Sequence, residues 1–77
     1  DLVVFPNPAK SNISVLLSNG ANLQKIDIYS ILGDKLISQK NLNQAKTTIN
    51  VSHLSSGIYF IRAKVDNKIM TKKLIIR

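Results

Sequence analysis

Cysteine, tryptophan and glutamate are absent from this 77-residue chain, and histidine occurs once, at His53. Without cysteine there is no disulfide and no zinc–thiolate site to brace the fold. One histidine and four scattered aspartates (Asp1, Asp27, Asp34, Asp66) do not make a metal site, which wants several ligands at close spacing. Glycine is sparse too. Gly20, Gly33 and Gly57 stand apart, so no glycine-rich phosphate loop is present and each reads as a turn residue. Long apolar runs are missing: none approaches the ~20 residues a membrane-spanning helix needs. Nor is there a charged-then-apolar leader, and the chain starts at Asp1 inside what reads as a strand. The expectation is a single domain over residues 1–77, excised from a larger secreted protein whose cargo domain is absent.

Acidic charge is also scarce. Eleven Lys and Arg against four Asp leave a net charge of +7. Such a balance raises nucleic acid or an anionic membrane as partners. The cations are spread at one or two per segment, however, and only Lys72 and Lys73 are adjacent. That spread fits solvent-facing and edge positions of strands, where lysine discourages sheet-to-sheet association. No nucleic-acid partner is expected. A nucleic-acid surface would require the lysines to converge on one face.

The apolar share is 44%, mostly Ile, Leu and Val, and it alternates with polar residues at a period of two. Leu2–Phe5 reads as a short strand stopped by Pro6-Asn7-Pro8, because proline fixes its own φ and pushes the preceding residue toward extended geometry. Further strands are predicted near 11–17, 24–30, 35–39, 47–51, 58–65 and 68–77. Turns fall at Ser18-Asn19-Gly20, Gly33-Asp34 and Asp66-Asn67, residues that tolerate positive φ. Ile26 and Ile28 face opposite to Lys25, Asp27 and Tyr29. Tyr59, Ile61, Ala63 and Val65 share one face, while Ile58 and Phe60 begin another that turns basic at Arg62 and Lys64. About seven short strands imply an all-β fold: a small immunoglobulin-like antiparallel β-sandwich. Tyr59 and Phe60 are expected to help fill its core.

No catalytic constellation emerges. Ser52, Ser55 and Ser56 lie near His53, but nothing supplies an orienting acid or an oxyanion pocket. The serines read as loop residues, and the chain is expected not to be an enzyme and to need no cofactor. Tyr29 is the one aromatic expected on a polar face, too little for a carbohydrate platform. Asn12-Ile13-Ser14 and Asn50-Val51-Ser52 match the glycosylation sequon, a short motif read as chance.

The blocks taken together are more specific. Val4-Phe5-Pro6-Asn7-Pro8 is followed by Ile13-Ser14-Val15, then Ile26-Asp27-Ile28-Tyr29-Ser30-Ile31-Leu32-Gly33. Next comes Ile49-Asn50-Val51-Ser52-His53-Leu54-Ser55-Ser56-Gly57-Ile58-Tyr59-Phe60-Ile61, and Lys72-Lys73-Leu74-Ile75-Ile76 closes the chain. In this order the sequence resembles, over essentially its whole length, the type A C-terminal sorting domain of the type IX secretion system of Bacteroidetes. Phe5 stands where many members have Tyr. The resemblance implies a tag that directs cargo from the periplasm across the outer membrane to the surface or medium. It also implies three partners: the outer-membrane translocon, its shuttle protein and a surface sortase that removes the tag. Pro6, Asn7, Pro8, Gly33, Leu54, Gly57 and Tyr59 are then motif positions that define the fold. Lys72, Lys73, Leu74, Ile75, Ile76 and Arg77 are the candidates for recognition, through a backbone edge and flanking side chains. That edge is also expected to permit self-association. The alternative is a generic immunoglobulin-like or fibronectin-like structural or adhesion module.

Overall fold

A computed structural model describes residues 1–77. It contains seven strands and no helix: β1 (Leu2–Phe5), β2 (Asn12–Leu17), β3 (Lys25–Ser30), β4 (Lys35–Gln39), β5 (Lys46–Asn50), β6 (Gly57–Val65) and β7 (Lys68–Ile76). They form two antiparallel sheets, one of three strands in the order β1-β2-β5 and one of four in the order β4-β3-β6-β7. The small antiparallel sandwich read from the alternation is the fold observed. Strand bounds agree with the sequence reading to within about two residues, the usual uncertainty of such limits.

The period-2 pattern decides which side chains meet between the sheets. Leu2, Val4, Ile13, Val15, Leu17 and Ile49 point inward from the three-stranded sheet. Ile26, Ile28, Tyr59, Ile61, Ala63, Val65, Leu74 and Ile76 do so from the other. Ala9, Leu23 and Val51 close the ends of this core from connecting segments. Each large aliphatic side chain so buried stabilises the fold by about 1.5–3 kcal/mol. Without a disulfide, a domain this small depends on that term.

The open sides of the sandwich are pinned by polar contacts. On one side β1 lies beside β7, and Lys72 Nζ donates to the Leu2 carbonyl at 3.1 Å. On the other, Thr47 Oγ1 of β5 donates to Gln39 Oε1 of β4 at 3.5 Å. Turn chemistry follows the sequence. Gly20 and Gly33 sit at φ 78° and 94°, and in the β6–β7 hairpin Asp66 takes φ 54° while Val65 pairs with Lys68. At the β3–β4 turn Ser30 Oγ accepts from the amides of Leu32 and Asp34, each at 3.2 Å.

One expectation needs correction. Phe60 is not in the core: it is 40% exposed on the outer face of the four-stranded sheet, because Tyr59 takes the inward position of the alternation. Asp27 does lie on that outer face, yet it is only 5% exposed, covered by neighbouring side chains.

Candidate functional site: the C-terminal strand and its edge

The last strand carries the residues singled out for recognition. The fold divides them between two faces and an edge. Leu74 and Ile76 point inward and are buried. Lys72 points the same way but sits at the sheet margin, where its amine reaches β1. Lys73 and Ile75 point outward, level with Phe60 and Ile58 of β6. The adjacent Lys72-Lys73 pair is therefore not one solvated cluster, since consecutive residues in a strand leave by opposite faces.

The backbone edge of this segment is occupied, and here the structure departs from the sequence reading. Asn7 Nδ2 donates to the Lys73 carbonyl and Asn7 Oδ1 accepts from the Ile75 amide, both at 2.9 Å. The Ala9 amide then donates to the Ile75 carbonyl at 2.8 Å, and the Arg77 amide to the Ala9 carbonyl at 2.9 Å. Four successive outward-facing groups of the strand are thus satisfied by the Pro6–Ala9 segment. The Asn7 carboxamide imitates a backbone peptide, offering one donor and one acceptor in the ladder direction. Ala9 continues as a parallel bridge to Ile76. The expectation of an open edge over Lys72–Arg77 is therefore corrected. Proline had marked the segment as a stop to β1. Its carboxamide partners, 66 and 68 residues away, leave no local signal. Further back along β7, the outward backbone of Ile69 and Thr71 has no such cover.

The remaining motif residues stabilise the same end of the molecule. Tyr59, inward on β6, sends its hydroxyl to the Ser55 carbonyl at 2.6 Å and lies 3.2 Å from Ser55 Oγ. Leu54 packs against the core from this loop, and its amide donates to the Val51 carbonyl at 3.0 Å. Gly57 opens β6 opposite Ile76. Asn50 Oδ1 accepts from both the amide and the hydroxyl of Ser52, at 2.9 and 2.6 Å. Ser52 and Ser55 are thus engaged in loop hydrogen bonds, and His53 is exposed.

Charge on the outer face of the four-stranded sheet is gathered by the topology. Lys25, Lys35, Arg62, Lys64 and Lys73 meet there, five of the eleven cations. Asp27 is the one acid among them, with Lys25 Nζ at 3.5 Å and Lys35 Nζ at 3.9 Å. Arg62, directly opposite Asp27 in the ladder, places its guanidinium 5.1 Å over the Tyr29 ring, and Lys35 lies 5.9 Å over it. Tyr29 is thus part of a cation-covered face and not an open aromatic platform. The convergence was invisible in the sequence, where these five cations are spread from position 25 to position 73.

Strand order, the capped C-terminal strand and the Tyr59 loop together describe a compact antiparallel sandwich with a fixed C-terminal end. The chain matches the family model of the secretion system C-terminal sorting domain over residues 3–77, essentially its whole length, and it belongs to that family, the sorting domains of the type IX secretion system. No curated protein matches the chain. Membership makes the domain a sorting signal that interacts with the secretion machinery, and the protein bearing it a secreted or cell-surface one. No helix is long and apolar enough to cross a membrane.

Proposed function

We propose that this domain is recognised by the outer-membrane translocon of the type IX system and by its shuttle protein, after the cargo has reached the periplasm. A surface sortase then removes the domain, and the cargo is anchored at the surface or released. The domain acts by recognition and performs no chemistry of its own. The observation that supports this reading is the way the last strand is held. Leu74 and Ile76 are locked in the core and the edge is tied to Asn7 and Ala9, so the Lys73, Ile75 and Arg77 side chains are presented in fixed register. With the edge occupied, recognition proceeds through these side chains and not through strand addition at Lys73–Arg77.

The test is a fusion of residues 1–77 to the C-terminus of a periplasmic fluorescent reporter in a host with an active type IX system. Reporter at the surface or in the medium is the expected outcome. Retention in the periplasm with the domain folded, shown by protease resistance, overturns the proposal. Deleting Lys72–Arg77 is a poor comparison, because it removes two core residues and the partners of Asn7 and Ala9. Single exchanges at Lys73 and Arg77, whose side chains are exposed, separate recognition from folding.

A further inference from the structure

The outer face of the β4-β3-β6-β7 sheet is divided in a way that a solvated surface does not need. Cross-strand rows run Ile58 with Ile75, then Tyr29 with Phe60 and Lys73, then Asp27 with Arg62 and Thr71, then Lys25 with Lys64 and Ile69. Ile58, Ile75, Tyr29 and Phe60 gather toward one end with Lys73 beside them, and Lys25, Arg62 and Lys64 toward the other with Ile69 beside them. Ile58 and Phe60 are 47% and 40% exposed, and beyond them the β3–β4 turn raises Ile31 and Leu32 to 67% and 86%. Between Tyr29, Ile31, Phe60, Arg62 and Thr71 lies an open groove of about 430 Å³. Isolated apolar residues on a surface are ordinary, whereas an adjoining set marks an interaction site.

Charge states the chemistry of the occupant. Asp27 is buried between Lys25 and Lys35, so every exposed charge on the strands of this face is positive, with Asp34 in the β3–β4 turn the exposed acid at its rim. The outer face of the other sheet is a control within the same molecule. Val3, Phe5, Ser14, Leu16 and Thr48 lie there with Lys46 as the single cation, 5.5 Å over the Phe5 ring. The positive charge is therefore concentrated on one of two available faces and set against an apolar patch.

We infer that this face docks a protein surface of the secretion machinery whose apolar side chains cover Ile58, Phe60 and Ile75 and whose carboxylates meet Arg62, Lys64 and Lys25. A nucleic acid would use the basic half alone, whereas a protein with apolar and acidic groups side by side uses both. Complementary charge steers such an encounter and fixes its register, while the apolar half supplies buried area. This inference rests on the export role proposed above.

The test uses the same reporter fusion with two kinds of exchange on the face: Arg62→Glu with Lys64→Glu, and Phe60→Thr with Ile58→Thr. Lys10→Glu with Lys46→Glu repeats the first charge change away from it. Thermal unfolding of each purified domain confirms folding, and Arg62→Gln with Lys64→Gln replaces the first pair if that pair melts early. Export is expected to fall roughly tenfold or more in both face variants and to persist in the control. Wild-type export from either face variant overturns the inference. Loss in the charge variant alone would point to nucleic acid instead, and co-sedimentation of the purified domain with anionic phospholipid vesicles would assign the face to a lipid surface. A wild-type fusion that is not exported at all is a different result, and it removes the sorting role itself.

Discussion

Asn7 and Ile75 are joined by a 2.9 Å hydrogen bond from the Ile75 amide to the Asn7 carboxamide oxygen, across 68 residues of chain. The same carboxamide donates to the Lys73 carbonyl, so one side chain bridges two outward groups of β7. A bare strand edge invites pairing with another chain, and here it is closed by a side chain that mimics a peptide unit.

Replacing Asn7 by alanine removes both bonds and is expected to lower stability by about 1–3 kcal/mol, at about 0.5–1.5 kcal/mol per bond. Asn7→Asp should cost a comparable amount, because it sets a carboxylate oxygen against the Lys73 carbonyl. Amide exchange at Ile75, followed by NMR, should quicken in both variants. Unchanged protection at Ile75 would show that Asn7 does not hold the edge.

Leu74 is fully buried and Lys73, one residue earlier, is exposed. Leu74→Ala is expected to destabilise by about 2–5 kcal/mol through lost transfer energy and a residual cavity. Lys73→Ala should stay within about 0.5 kcal/mol of wild type. Urea unfolding of the two variants gives the comparison. Equal midpoints would contradict the division of β7 into a core face and a presenting face.

The Tyr59 hydroxyl donates to the Ser55 carbonyl at 2.6 Å. Tyr59→Phe keeps the ring in the core but leaves that carbonyl without its partner, at a cost of about 1 kcal/mol. The loop from Ser52 to Gly57 should loosen first, seen as faster proteolysis there before global unfolding. A variant as stable and as resistant as wild type would assign the hydroxyl no structural role.

Gly33 holds φ at 94° in the β3–β4 turn, with open space where a Cβ would stand. Gly33→Ala is therefore a conformational test free of clash. It is expected to destabilise by about 1 kcal/mol or more, since alanine resists positive φ. Thermal melting that matches wild type would mean the turn adopts another backbone path at no cost.

Strand positions, turns and most core residues are legible in the chain because they follow from local rules. A period of two assigns Ile26, Ile28, Ile61 and Val65 to one side, and Gly33 and Asp66 mark reversals. Phe60 lies outside because alternation with the inward Tyr59 outweighs the tendency of an aromatic ring to be buried. Leu23 is fully buried because its amide, bonded to the Gln44 carbonyl, draws its segment onto the end of the core, a pairing with no local signal. The family blocks carried the function, since sorting depends on the whole pattern and not on a chemical group that composition could disclose.

By itself, then, the sequence determined an all-β domain without a disulfide, its seven strands and the family to which it belongs. Those properties depend on residue type and on spacing along the chain. Only the tertiary structure decided that the last strand's edge is closed by Asn7 and Ala9, that the Lys72 amine reaches the Leu2 carbonyl, and that five distant cations share one sheet face with Ile58 and Phe60. Each depends on which strands become neighbours and in what register, and alternation within a strand leaves that open.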